Sequence, residues 1–123
     1  MSLKTLRDGL ETAITSNSIY SVYDVVPEII TTPSVMIMAG DPWLTQATIG
    51  NNKAFYVQYT LECAAASISN PGALEKIETM VATVLPLIPK SWQIQSVSSP
   101  RIRQSNTNDV YSVEISIRTI YNP

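Results

Sequence analysis

The stretch KAFYVQYTLECAAAS, residues 53–67, alternates apolar and polar side chains along most of its length. The two alternating sets are Phe55, Val57, Tyr59, Leu61 and Cys63 against Tyr56, Gln58, Thr60 and Glu62. Because successive side chains of a strand point to opposite faces, this pattern predicts a strand with one face on a core. Gly50-Asn51-Asn52 just before it predicts a hairpin turn, since glycine and asparagine tolerate positive φ.

Three shorter strands are predicted upstream of that turn, over residues 19–26, 34–39 and 43–49. β-Branched and aromatic residues dominate the first, which Pro27 ends or places at a sheet edge. The second is almost continuously apolar, which is typical of a strand covered on both faces. We expect Gly40-Asp41-Pro42 to form a turn between the second strand and the third.

Two amphipathic helices are predicted, one over residues 2–16 and one that starts near Asn70 and Pro71. Ser2 is placed to cap the first helix, and Pro86 and Pro89 end the second. The apolar stripes consist of Leu3, Leu6, Leu10, Ala13 and Ile14 in the first helix and Leu74, Ile77, Val81, Val84, Leu85 and Ile88 in the second.

Two strands, over residues 92–103 and 109–121, are predicted to close the chain, with a polar solvent loop over 104–108 between them. The expected order is therefore α-β-β-β-β-α-β-β. Strands joined by hairpins and a pair of helices predict an α+β fold, with two helices packed on one face of a largely antiparallel sheet. A length of 123 residues fits one domain, residues 1–123.

The composition argues against most enzyme classes. The chain contains no histidine, which removes the commonest general base and the usual zinc ligand, and Cys63 is its one cysteine. Its carboxylates are scattered singly, and its four glycines form no phosphate-binding loop. We therefore expect no enzymatic activity, no catalytic residues, no metal and no cofactor.

Charged residues make up only 15% of the chain, against roughly a quarter in an ordinary domain. The formal net charge of −2 predicts no general attraction to nucleic acid. The first residues, MSLKTLRDGLETAITS, lack the apolar core of a signal peptide, and the apolar runs are shorter than the roughly 20 residues of a membrane span. We expect a soluble protein made in the cytoplasm.

Four residues stand out as candidates. Cys63 lies on the apolar side of its strand, which favours a buried, inert thiol. Trp43 follows the predicted turn on a charge-poor surface and is a candidate interface residue, although a core position is the commoner role of tryptophan. Arg101 and Arg103 share one face of a strand; they are either solvated or line a channel or subunit interface.

The polar faces of the two alternating strands also carry few charges. They present Tyr56, Gln58, Thr60, Ser112, Glu114 and Ser116. Such a face is compatible with burial against another subunit.

The stretch VYDVVPEIITTPSVMIMAGDPW, residues 22–43, carries a family resemblance. Val22-Tyr23 leads to Pro27, then to Thr32-Pro33 and an apolar strand that ends at Gly-Asp-Pro. Together with the helix before it and the helix and strands after it, this order resembles the small tail terminator proteins of long-tailed, siphovirus-type bacteriophages, especially those of actinobacterial hosts. Their fold is similar to that of tail-tube and head–tail connector proteins.

The resemblance implies a structural virion protein without catalytic residues. Family members form a homohexameric ring at the head-proximal end of the tail, stop growth of the tail tube and present a surface to the head connector, and the genomic DNA passes through the lumen. The implied partners are therefore further copies of the chain, the tail tube protein and the head–tail connector. The alternatives are a connector (stopper or adaptor), another tail-completion protein, and a non-viral α+β module that binds a small ligand.

Overall fold

The computed structural model describes residues 2–17, 20–23, 33–47, 54–66, 72–104 and 109–122. The elements in chain order are α1 (Leu3–Asn17), β1 (Ser21–Tyr23), β2 (Ser34–Gln46), β3 (Phe55–Ala66), α2 (Ala73–Val84), a 3-10 turn (Leu85–Leu87), β4 (Gln93–Val97), β5 (Arg101–Gln104) and β6 (Asp109–Tyr121). Two helices and one sheet confirm the predicted α+β class.

The sheet contains six strands in the order β1-β2-β3-β6-β4, and β5 also pairs with β6. β1 runs parallel to β2, and every other pair is antiparallel. β6 is long enough to take β5 along its first half and β4 along its second half. The two short strands therefore share one edge of the sheet, next to β6.

The centre of the sheet is the pair β3–β6, which runs from Phe55 opposite Tyr121 to Ala66 opposite Val110 without a register shift. The predicted alternation is confirmed on both strands. The buried residues of their core face are Val57, Tyr59, Leu61, Cys63, Val113, Ile115 and Ile117.

Both helices cover this core face. Leu10 and Ile14 of α1 and Ile77, Met80 and Val84 of α2 belong to the same buried cluster as the strand residues. The predicted cap of α1 is confirmed, because the Thr5 backbone N–H donates to Ser2 Oγ at 3.0 Å. After α2, Trp92 is buried with its ring 5.9 Å from that of Tyr59.

Leu74 was expected on the apolar stripe of α2, but it is 48% exposed. It lies in the first turn of the helix, which begins at Ala73 with Gly72 as N-cap, and the buried stripe begins one turn later, at Ile77. Met80 occupies a fully buried position that the prediction did not include.

The predicted turn at Gly40-Asp41-Pro42 is wrong, because all three residues lie inside the continuous strand β2. The register passes from Ala39 opposite Tyr59 to Leu44 opposite Val57, so the intervening residues form a bulge instead of reversing the chain. The Asp41–Pro42 peptide bond within this bulge is cis.

The predicted strand over residues 92–103 is also corrected, since Ser98–Pro100 separate β4 from β5. Ser98 explains the break: its N–H donates to the Glu114 carbonyl at 2.8 Å, and its Oγ accepts from the Glu114 N–H at 2.9 Å. The Ser98 hydroxyl therefore accepts the hydrogen bond from the Glu114 N–H that a backbone carbonyl would accept in a regular strand pair. Pro100 has no N–H to continue the ladder.

Several predictions fall outside the described residues. These are the turn at residues 50–52, the start of the second helix at 70–71, the strand ends at 19, 24–26, 48–49, 53 and 67, and the loop residues 105–108. The part of the first predicted strand that is described, Ser21–Tyr23, is confirmed as β1.

Gly40 is required by close packing in the bulge. A Cβ atom added there would lie 2.8 Å from Gln58 Cβ and 3.0 Å from the Gln58 carbonyl oxygen, whereas a Cβ added at Gly9 in α1 meets nothing within 4 Å. We predict that Gly40→Ala lowers the free energy of unfolding by about 1–3 kcal/mol through overpacking.

Gly9→Ala is the matched control and should raise the free energy of unfolding by about 0.5–1 kcal/mol, because alanine favours a helix interior. Urea denaturation of the two variants and the unaltered chain measures both effects. Equal responses of the two variants would contradict the described approach of Gly40 to Gln58.

Candidate functional site

Trp43 lies at the exposed end of β2. Residues 41–46 of this strand are all exposed, and Trp43 and Leu44 keep 42% and 39% of their surface accessible. β1 pairs with β2 only from Ser34 to Met36, so the described part of β1 does not reach this end. We call Asp41–Gln46 the β2 end. An exposed tryptophan beside an exposed leucine is typical of a contact surface.

Arg101 lies in β5 at the other side of the sheet, opposite Ser112 of β6. Its guanidinium Nη2 donates to the carboxylate of Glu114, and its side chain remains 58% exposed. The backbone of Arg103 pairs opposite Val110, two residues further along β6. The structure therefore brings the two arginine positions together on one short strand and separates them from Trp43 by the width of the sheet.

The sheet face opposite the helices carries two acidic residues in one row. Glu62 is buried and lies directly opposite Glu114, whose charge is matched by Arg101. Like charges in directly opposed positions are unfavourable. The ion pair with Arg101 therefore offsets the repulsion between Glu114 and Glu62.

One end of this face is already covered in the single chain. Met36, Ala64 and Val110 form a buried cluster there, and the hydroxyls of Ser34 and Ser112 are buried without hydrogen-bond partners. Ser112 is therefore already buried within the single chain and does not contribute to a contact of this face with another subunit.

The other end of the same face is partly accessible. There the Arg118 guanidinium stacks over the Tyr56 ring at 4.1 Å, and its Nε donates to Gln93 Oε1 at 2.8 Å. Thr60 and Ser116, which are opposite each other, are half-buried. This end remains compatible with contact to another protein.

An apolar surface that the sequence did not predict lies along the edge strands, on the helix side of the sheet. Ile94, Val97 and Ile102 are opposite Ile117, Ile115 and Tyr111, all of which contribute to the main core. The three edge residues are nevertheless 42%, 42% and 56% exposed. The apolar face of the sheet therefore extends beyond the area that the helices cover, and it is exposed to solvent there.

A groove of about 350 Å³ runs between α2 and these edge strands. We call it the edge groove. One wall consists of Ile77, Glu78, Val81, Ala82 and Leu85, the other of Val97, Ser98 and Pro100, with Val113 also in the lining. Among the described residues of this lining only Glu78 is charged, so the groove offers a mainly apolar surface.

Charged residues of both signs lie near the edge groove. Residues 88–104, which include β4 and β5, contain Lys90, Arg101 and Arg103 and no acidic residue. Arg101 is paired with Glu114 of β6, however, and Glu78 lies in the groove lining. β2 contains a single charged residue, Asp41.

Cys63 is buried in the main core, as predicted. Burial, with a smaller contribution from the nearby Glu62 charge, raises the pKa of its thiol to about 12. The thiol is therefore protonated at neutral pH, and thiolate chemistry is disfavoured.

A second cavity, of about 620 Å³, lies beside the start of α2. Its lining combines apolar and polar side chains, including Tyr20, Ala65, Glu75, Lys76 and Met80.

Within the described ranges, no three His, Cys, Asp or Glu residues are grouped so that they could hold a metal ion. None of the described helices combines the length and the hydropathy of a transmembrane helix.

Comparison with known proteins gives no family assignment. No protein-family model matches the chain, and no curated protein matches it.

The Cys63 environment predicts that Cys63→Ser lowers the free energy of unfolding by about 1–3 kcal/mol, because it buries a hydroxyl among apolar groups. Urea denaturation measures the loss, and Cys63→Ala, which adds no polar group, serves as the control. The native thiol should react with a maleimide only as fast as the chain opens. Rapid labelling under native conditions would contradict its place in the core.

The Arg101–Glu114 pair predicts coupled effects on stability. Arg101→Gln should cost only about 0.2–1 kcal/mol because the pair is largely exposed. Arg101→Glu should cost more, since it adds a third carboxylate beside Glu114 and Glu62. Combining Arg101→Glu with Glu114→Arg should recover part of the loss in urea denaturation. Strictly additive effects of the two substitutions would contradict the pairing.

Proposed function

We propose that this chain is a tail terminator of a siphovirus-type bacteriophage: a structural virion protein that forms a ring at the head-proximal end of the tail tube. In this function it stops polymerisation of the tube and provides the surface that joins the tail to the head connector. The proposal begins from the resemblance of the stretch at residues 22–43, and the α+β element order of the fold is consistent with it.

The observation that carries the proposal is the presence of two different contact surfaces on opposite sides of one sheet. The β2 end is on one side, and the edge groove with Ile94 and Ile102 is on the other. Three strand spacings separate β2 from β4, or about 14 Å. Two unlike surfaces on opposite sides favour head-to-tail contacts, which generate rings or open filaments.

The other partners in the proposal come from the resemblance. They are the tail tube protein below the ring and the head–tail connector above it, with genomic DNA passing through the lumen without sequence-specific contacts. The low content of charged residues agrees with a subunit that buries much of its surface against neighbours. We assign Arg101 and Arg103 to a subunit or lumen surface of this ring.

Two alternatives remain. A head–tail connector or another tail-completion protein would use the same kind of ring surfaces at a different position in the neck of the virion. The cavity of about 620 Å³ beside α2 instead favours a small-ligand-binding module, because its volume lies within the range of ligand sites.

Tail length distinguishes these functions. Phage particles that lack the protein should carry overlong tail tubes, because nothing stops polymerisation, and electron microscopy of negatively stained particles measures the length. Complementation with the unaltered chain should restore the normal length. Tails of normal length that never join heads would contradict the terminator assignment and indicate a connector. Unchanged, infectious particles would contradict both virion functions.

A further inference from the structure

We draw no further inference here: the strongest candidate, the cavity of about 620 Å³ beside the start of α2, is already the basis of the ligand-binding alternative, and nothing in the structure shows which molecule would occupy it.

Discussion

The unbroken register between β3 and β6 is the constraint on which the rest of the structure depends. Every residue of β3, from Phe55 to Ala66, has a direct partner on β6. A slip of one residue would move each side chain to the other face of the sheet. The buried residues of both strands then hold the pair in place, because a slip would move Leu61, Ile115 and their neighbours out of the main core.

This register also determines where the contact surfaces lie. α1 and α2 cover the core face of the central strands, and the edge strands β4 and β5 extend beyond them. Ile94 and Val97 face the helix side because their partners on β6 do, yet both remain exposed. The apolar edge is therefore a consequence of a narrow helix layer on a wider sheet, and a second protein can complete the layer.

The spacing of apolar residues predicted those helices and strands that keep one spacing, helical or alternating, along their whole length. β3, β6 and α1 came out almost as predicted, since alternation and helical spacing are properties of neighbouring residues. β2 was divided at Gly40-Asp41-Pro42 because these residue types usually mark turns. The bulge that keeps the strand continuous depends on the approach of Gly40 to Gln58, a contact between distant parts of the chain.

The candidate site was predictable only in part, for the same reason. Trp43, Arg101 and Arg103 were identified from residue type and local context, and the structure places Trp43 and Arg101 on exposed edges. The edge groove was not identified, because it exists only where α2 passes beside Val97 and Pro100. The division of residues 92–103 into two strands depends likewise on hydrogen bonds between Ser98 and Glu114.

The central claim is that copies of this chain assemble head to tail into a ring at the head-proximal end of a phage tail. An electron cryomicroscopy map of the head–tail junction in assembled particles tests it most directly. The account predicts a closed ring in that position, in which each copy meets its neighbours through two different surfaces of the sheet. A virion without the protein, or copies that meet through identical edges, would contradict it.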